Sequence, residues 1–408
     1  MKILYICSDF PKPSKGSNLY TDLAEELAIK GHELKVVVSE EKKHIVQDEI
    51  SEERGISVLR VKTGNIYEVG FIEKTLTFIT ISQKLKNGIK KYFSNEKFDL
   101  ILFQSPPVTF HQVVKWAMKK YNCKSYLMMK DIFPQNGVDI GLYGKLHPAY
   151  LFFRYHEKRL YKTASYIGCM SQGNVEYLIN HNYYLDKNKF KIFPNTVKIK
   201  NDVELTERQR KKIRDKYTIN TEDVVAVFGG NFGKPQGLDF LLEVIEEYKA
   251  NPNLKFLLIG RGTEKEKIFN YIKEKKLKNV LMYDYIPRED YKKILLACDI
   301  GLIFLDRRFT IPNYPSKTLS YFECSLPIMA AIDLNTDYGK DIEKIQAGFW
   351  CENGNLKNYK EKFDKLIKDK KLRQKMGENG NKYLKKELNV ENSVKLLEKH
   401  IKGEIKNV

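Results

Sequence analysis

The stretch VVAVFGGNFGKPQGLDFLLEVIEEYKA, residues 224–250, decides the fold. Its apolar start predicts a buried strand, and the amphipathic run that begins at Leu238 predicts a helix. Between them, residues 229–237 contain four glycines, which let a tight turn expose its N–H groups to an anion at the start of the helix. The loop matches neither a Walker A motif nor a strict GxGxxG, so by itself it is either a phosphate site or a plain turn.

The same alternation of short apolar runs and longer amphipathic runs continues through both halves of the chain. It predicts strands at 2–7, 33–39, 56–61, 99–104, 124–129, 164–170 and 190–194, and then at 224–230, 254–260, 279–284, 299–305, 327–332 and 349–351. With helices between most of these strands, the fold class is α/β, and we expect two doubly wound Rossmann-like domains that face each other across a cleft.

The expected domain boundary lies in the segment FPNTV, residues 193–197. We therefore expect an N-terminal domain at 1–195 and a C-terminal domain at 196–385. The final segment, 386–408, is expected to form a helix that packs back toward the N-terminal domain.

The composition is typical of a globular protein, with 42% hydrophobic and 30% charged residues among 408. No apolar run approaches the ~18 residues of a membrane span, and the start MKILYICS lacks the features of a signal peptide, so we expect a cytoplasmic protein. The six cysteines lie far apart and form no CxxC pair, which predicts reduced structural thiols.

The net charge of +19 comes mainly from lysines. It reflects either a compositional bias or attraction to an anionic partner, such as a phosphate-bearing ligand or a membrane surface. Arginines are few and no nucleic-acid motif is present, so we expect no nucleic-acid partner. Residues 71–93 and 150–162 mix aromatic and basic side chains at helical spacing, and such helices either lie on an anionic bilayer or pack their aromatic side into the core.

Three basic features in the second half of the chain follow strands or begin helices at the same edge of the predicted sheet. Lys234 lies in the glycine loop. Arg261, in the turn GRG at 260–262, is either a phosphate clamp or a solvated turn residue. In NYPSKTLSYFECSLPI, residues 313–328, Ser316 occupies an N-cap position and Lys317 comes directly after it. Three positive features at one edge predict a diphosphate ligand and therefore a nucleotide.

In the first half, Asp131 follows a predicted strand and begins the loop KDIFPQNGVD, residues 130–139. An acid at a strand tip is either a catalytic or ligand-orienting residue or one that caps a helix and fixes the loop. His111 lies within a predicted helix, and a single histidine in such a place is more often a packed residue than a general base.

Taken in order, these segments resemble the GT-B glycosyltransferases of family 4, and within it the fucosamine-transferase-like branch that acts in capsule and O-antigen synthesis. DIFPQNGVDIG, from Asp131, is similar to the family's D-L-W-P-E segment. GGNFGKPQGLDFLL, from Gly229, is similar to the branch's G-N-x-G-x-x-Q-G-L-D-x-L-L, and PSK…LPI, from Pro315, is similar to its nucleotide-site helix. FPNT resembles the family's PNG hinge, with Thr196 in place of the glycine.

The resemblance implies a retaining transferase that moves a sugar, an N-acetylated hexosamine or deoxyhexosamine, from a UDP-sugar bound in the C-terminal domain. The N-terminal domain would take a polyprenyl-diphosphate-linked glycan at the inner face of the cytoplasmic membrane. No bound metal or other cofactor is implied, because helix N-termini and basic side chains neutralise the leaving diphosphate in this fold.

The resemblance also assigns residues. Asp131 occupies the position where many relatives have a cleft histidine near the transferred sugar, and we give it a positioning or electrostatic role. Tyr285 and Ile286 would lie against the base. The remaining donor-binding candidates are Gly16, Gly230, Asn231, Gly233, Lys234, Arg261, Ser316, Lys317, Ser320 and Glu323.

Two departures from the family pattern concern this site. The family often has two glutamates eight residues apart, and the second, which binds the ribose, falls on Ser320 here. Glu323 lies one helical turn further on, where it either substitutes for the missing glutamate or is a solvated helix residue. The arginine and lysine of many relatives' glycine loops fall on Asn231 and Gln236.

Two other functions fit the same architecture. A non-hydrolysing UDP-sugar 2-epimerase needs several acids and a histidine around one sugar, and the sequence shows no such set. A non-catalytic binding or scaffold protein is compatible with the missing glutamate pair. A transferase requires an acceptor to release UDP, an epimerase does not, and a scaffold releases none.

Overall fold

The computed structural model describes residues 1–66, 69–199, 205–284, 286 and 288–403, without the side chains of residues 71, 72, 288 and 289. The chain forms two compact units. The N-terminal unit is Met1–Lys198 together with Asn389–Val408, and the C-terminal unit is Ile199–Leu388. The expected boundaries after 195 and 385 lie three residues before these.

The N-terminal unit is built on a sheet whose strands, within the described residues, are β1 Lys2–Cys7, β2 Glu33–Glu41, β3 Glu49–Glu53, β4 Ile56–Thr63, β5 Leu100–Ser105, β6 Lys124–Met129, β7 Tyr166–Cys169 and β8 Phe190–Ile192. Their order is β3-β4-β2-β1-β5-β6-β7-β8, and every pair except β3–β4 is parallel. The helices are α1 Leu19–Ile29, α2 Phe71–Tyr92, α3 His111–Tyr121, α4 Gln135–Asp139, α5 Pro148–Thr163 and α6 Gln172–His181.

Strand β3 is not among the strands predicted from the sequence. Its sequence, EISEE, is too acidic to be recognised as a buried strand, and it pairs antiparallel with β4 at the edge of the sheet. Arg60 on β4 is 1% exposed and binds Glu53 on β3 through both Nε and Nη2 at 2.8 Å. This ion pair replaces the apolar packing that marks the inner strands.

The C-terminal unit contains a fully parallel sheet, whose strands among the described residues are β9 Val224–Asn231, β10 Leu254–Arg261, β11 Val280–Tyr283, β12 Ile300–Phe304, β13 Ile328–Ile332 and β14 Gly348–Glu352. Their order is β11-β10-β9-β12-β13-β14. The helices are α7 Glu207–Lys216, α8 Leu238–Glu247, α9 Lys265–Glu274, α10 Arg288–Ala297, α11 Lys317–Glu323, α12 Tyr338–Lys344, α13 Leu356–Lys368 and α14 Lys370–Glu387.

The last helix, α15 Val390–Lys402, belongs to the N-terminal unit. Val390, Val394 and Leu397 are buried in the same apolar core as β1, β2 and α1. At its end, the His400 ring accepts or donates a hydrogen bond with the buried Tyr126 hydroxyl at 2.9 Å. The chain therefore returns to its first unit after completing the second.

Burial follows the predicted periodicity in both units. Asn18 caps α1 by accepting hydrogen bonds from two N–H groups of the first turn, and Leu23 and Leu27 face the core. All six cysteines are free thiols, and five of them are buried. Within the described residues, no helix has both the length and the apolar character needed to cross a bilayer.

Candidate active site

The C-terminal sheet has its topological switch point at β9, which pairs with β10 on one side and β12 on the other. β9 pairs with β12 at Ala226–Ile300 and Val227–Gly301, and the Tyr321 hydroxyl lies between the two strands just beyond. This hydroxyl is 3.2 Å from the carbonyl oxygens of Val227 and Leu302, and it accepts a hydrogen bond from the Gly229 N–H at 3.3 Å. Ligands of open α/β sheets bind in the crevice at such a point.

The glycine loop requires glycine at its start. A Cβ on Gly229 would lie 1.9 Å from the Tyr291 hydroxyl oxygen. Gly230 has a backbone φ of 125°, a conformation that residues other than glycine rarely adopt. Tyr291 and Tyr321 therefore fix the base of the loop, and Gly230 and Asn231 are left exposed beyond it. This arrangement allows a ligand to approach the backbone closely.

Lys317 joins this loop from the first residue of α11. Its Nζ is 4.0 Å from the centroid of the Phe228 ring, donates a hydrogen bond to Gln236 Oε1 at 2.9 Å, and lies 3.8 Å from where a Cβ on Gly230 would be. Burial lowers the pKa of Lys317 to about 7. No carboxylate in the described part of the chain forms an ion pair with it. The structure thus brings an uncompensated cation to the predicted phosphate loop.

Ser316 occupies the expected N-cap position, but its side chain does not cap the helix. Its backbone is helical, with φ −67° and ψ −22°, and its hydroxyl accepts no capping hydrogen bond. The N–H groups of Thr318 and Leu319 instead bond to the carbonyls of Pro315 and Ser316 at 3.2 Å. A tight backbone turn therefore takes the place of a side-chain cap.

Glu323 lies at the end of α11 and is held by α10. Its carboxylate accepts a hydrogen bond from Lys292 Nζ at 2.6 Å, and its side chain is 17% exposed. Glu323 is therefore an ion-paired residue between two helices, a state that neither sequence interpretation included. Ser320, one turn earlier, is partly exposed.

The other basic candidates lie at the exposed rim of the same sheet edge. Lys234 is exposed in the glycine loop, whose Gly233 is buried. Arg261 is the last residue of β10 and is exposed. The pKa of Asp284 is lowered mainly by Lys265, whose Nζ lies 2.5 Å from Asp284 Oδ1, and to a smaller extent by Arg261. Arg261 therefore lies toward the outer strand β11.

The two residues predicted to contact the base follow β11 in the sequence. Ile286 is partly exposed there. Tyr285 lies outside the described residues, so its predicted role stays a prediction.

Gly16 and Asp131 belong to the N-terminal unit. Gly16 has a φ of 90°, and its carbonyl accepts a hydrogen bond from Arg54 Nη2, while Nη1 of the same arginine bonds to Pro11 O at 3.1 Å. Arg54 therefore fixes the loop after β1. The remaining donor-site candidates belong to the C-terminal unit.

Asp131 comes two residues after the end of β6, where it is partly exposed. Its Oδ2 accepts a hydrogen bond from Asn136 Nδ2 at 2.6 Å, which ties it to α4. Burial raises the pKa of Asp131 to about 6, and the Glu157 carboxylate contributes to the same direction. The residue thus fixes its loop and also carries a carboxylate that titrates near neutral pH.

His111 is a packed residue, as its place in the sequence indicates. It is 8% exposed, and its Nε2 forms a hydrogen bond with His156 Nδ1 at 2.8 Å. Burial lowers the pKa of His111 to about 4, with His156 as a further cause. The ring is therefore neutral at pH 7.

Sequence reasoning missed three residues that the structure places beside these candidates. Tyr291 and Tyr321 lie on α10 and α11, and no local sequence pattern shows where their hydroxyls point. Lys130 precedes Asp131 and donates to Asn195 Oδ1 at 2.7 Å. A lysine directly after an apolar strand was the one available signal for it.

Comparison with known proteins gives two family matches. Residues 16–201 match Glycosyltransferase Family 4, and residues 209–383 match Glycosyl transferases group 1. Among curated relatives, WbjE of Pseudomonas aeruginosa, described as a probable glycosyltransferase, is 23% identical over 256 residues. That match covers 62% of this chain and 60% of the relative's length.

Two solved structures show the same fold over the whole chain. Sucrose-phosphate synthase from Thermosynechococcus elongatus superimposes with a TM-score of 0.76 at 13% identity, covering 99% of this chain and 100% of that one. Anabaena HepE, solved in complex with UDP-glucose, has a TM-score of 0.69 at 16% identity, covering 99% of both chains. Both units thus match glycosyltransferase family models, and the chain has the GT-B fold, in which each domain is Rossmann-like.

Proposed function

We propose that the protein is a retaining glycosyltransferase that moves an N-acetylated hexosamine or deoxyhexosamine from a UDP-sugar to a lipid-linked glycan in capsule or O-antigen synthesis. The observation that carries the donor part is Lys317, a cation with no carboxylate partner among the described residues, which lies against the glycine loop at the switch point. A diphosphate at this position satisfies the charge that the free protein leaves uncompensated.

The donor proposal assigns a task to each part of the site. Lys317 and the exposed backbone at Gly230 bind the diphosphate, and Lys234 and Arg261 add positive potential at the rim. These groups stabilise the negative charge that develops on the leaving UDP, so the proposal needs no metal for that task. A UDP-glucose complex of HepE, a protein with the same fold, supports a uridine nucleotide.

The transferase proposal gives Asp131 an electrostatic role. In its ionised form the carboxylate favours the positive charge that develops on the sugar ring as the bond to UDP breaks. Asn136 holds the carboxylate in place through the 2.6 Å hydrogen bond. The catalytic assignment rests on the resemblance and on this strand-tip position.

A nucleotide panel tests the donor class. The melting temperature of the full-length protein is measured with UDP-, GDP-, dTDP- and ADP-sugars at equal concentrations. UDP-sugars are expected to stabilise it by about 2.7 kcal/mol at 100 times Kd, and the other nucleotides much less. Stabilisation by a different nucleotide sugar alone would contradict a UDP-sugar as the donor. Stabilisation by none of them would contradict the proposed nucleotide site.

The acceptor proposal includes a membrane surface on the N-terminal unit. Helices α2 and α5 contact each other through the rings of Phe78 and Phe153, whose centroids are 5.4 Å apart. On α2, on α5 and in the segment just before α5, the exposed apolar side chains include Leu76, Ile79, Leu142, Leu146, Leu151 and Tyr155, and the exposed basic ones include Lys145, Lys158, Arg159 and Lys162. Exposed apolar side chains beside cations suit an anionic bilayer, where a lipid-linked acceptor resides.

Vesicle binding tests this surface. Replacing both Leu146 and Leu151 by Glu is expected to lower binding to phosphatidylglycerol-containing vesicles at least about tenfold, because two apolar side chains can no longer enter the bilayer. Val46→Glu is the matched control, since Val46 is 88% exposed and Leu146 is 90% exposed. Equal loss in the control, or none in the double variant, would contradict the assignment.

A further inference from the structure

Lys130 repeats, in the N-terminal unit, the arrangement that surrounds Lys317 in the C-terminal unit. Lys130 comes directly after the last residue of β6, and Lys317 is the first residue of α11. Each donates a hydrogen bond to a neutral side-chain amide: Lys130 to Asn195 at 2.7 Å and Lys317 to Gln236 at 2.9 Å. Each also lies over a phenylalanine ring, Phe193 at 5.8 Å for Lys130 and Phe228 at 4.0 Å for Lys317.

The charge of Lys130 is not compensated by the described part of the chain. An ammonium group has three donors, and Asn195, itself 6% exposed, supplies one acceptor. No carboxylate among the described residues forms an ion pair with Lys130. Burial accordingly lowers the pKa of Lys130 to about 7, as it does for Lys317. A partly buried cation that keeps free donors is stabilised by an anion.

The groups that surround Lys130 are neutral or positive. Asn195 also donates to the Met170 sulfur at 3.3 Å, and α6 begins two residues after Met170, so its positive N-terminal end is near. The nearest carboxylate in sequence, Asp131, is held toward α4 by Asn136. Lys130 and Asp131 therefore face different neighbours.

We propose that Lys130 is the cation of a second anion site, which binds a phosphate of the acceptor. The proposal rests on the proposed function, because the lipid-linked acceptor supplies the diphosphate. Lys130 then distinguishes acceptors that carry a diphosphate from neutral glycans, as Lys317 distinguishes the nucleotide donor. The same unit would hold the lipid and its phosphate, and the donor unit would hold UDP.

Calorimetry on the full-length protein saturated with UDP tests the site. UDP occupies the site at Lys317, so further binding of inorganic pyrophosphate or farnesyl diphosphate reports a second site. The wild type is expected to bind both, and Lys130→Met is expected to weaken both at least tenfold while UDP affinity changes less than twofold. Lys124→Met, on the opposite end of β6, is the matched control and is expected to behave like the wild type.

The outcomes separate the two proposals. Failure of the wild type to bind UDP would overturn the donor proposal itself. Normal UDP binding together with unchanged pyrophosphate and farnesyl diphosphate affinity in Lys130→Met would overturn the second site. Failure of the UDP-saturated wild type to bind either probe would overturn it as well. Binding of pyrophosphate without farnesyl diphosphate would assign the site to a free phosphate and contradict the acceptor role. If Lys130→Met does not fold, Lys130→Gln gives the same comparison.

Discussion

Replacing Lys317 by Met is expected to weaken UDP binding about 100-fold, the equivalent of about 2.7 kcal/mol for a lost charge-assisted contact. The free energy of unfolding is expected to stay the same or rise, because the variant removes a partly buried cation that has no carboxylate partner among the described residues. Calorimetric titration with UDP and denaturant unfolding measure the two effects separately. Loss of binding without loss of stability distinguishes a ligand-binding lysine from a structural one.

The pH dependence of UDP binding gives the same residue a second test. Lys317 has a pKa of about 7 in the free protein, and a bound diphosphate raises it, so binding takes up a proton above pH 7. Affinity is therefore expected to be highest below pH 7 and to fall as the pH rises toward 9. Lys317→Arg is expected to lose this dependence. Lys249→Met, which changes an exposed lysine two residues after the end of α8, is expected to keep it. Unchanged UDP affinity in Lys317→Met would refute the phosphate role.

Replacing Asp131 by Asn is expected to lower turnover about 100-fold through loss of electrostatic stabilisation and to change UDP affinity less than twofold. The asparagine oxygen can still accept the hydrogen bond from Asn136, so the loop is expected to keep its structure. Steady-state rates give turnover, and calorimetry gives the UDP affinity.

The pH profile identifies the ionised carboxylate as the active form. Because burial raises the pKa of Asp131 to about 6, turnover of the wild type is expected to fall as the pH drops through 6, and Asp131→Asn is expected to lack this limb. Asp139→Asn, in the same segment, is the control and is expected to retain both the rate and the limb. Near-normal turnover of Asp131→Asn would remove its catalytic assignment.

Most of the fold is predictable because strands buried on both faces leave continuous apolar runs in the sequence. Parallel strands such as Val224–Asn231 are recognisable for this reason. The glycine turn after this strand marks where the next helix begins. Strand Glu49–Glu53 is not recognisable, since it is acidic and its Glu53 is held by an ion pair with Arg60 on the neighbouring strand. Such polar contacts between strands leave no periodic signal.

The candidate site is predictable where the backbone pattern determines it. Gly230 and Lys317 come together because parallel strands end at the same edge of a sheet. Partner choice is not predictable: the Lys292–Glu323 pair, the hydroxyl of Tyr321 between two strands and the amide that holds Lys130 all depend on side-chain packing between distant segments. Ser316 shows the same limit, because a backbone turn satisfies the N–H groups that a cap would serve.

The transfer reaction itself tests the central claim most directly. The full-length protein is incubated with UDP-sugars, with and without a lipid extract that contains lipid-linked glycans, while UDP release and the mass and anomeric configuration of the lipid product are measured. The account predicts UDP release that requires the lipid acceptor, a product larger by one sugar with retained configuration, and no reaction with Lys317→Met. Conversion of the UDP-sugar without acceptor, or absence of UDP release with every donor and acceptor, would contradict it.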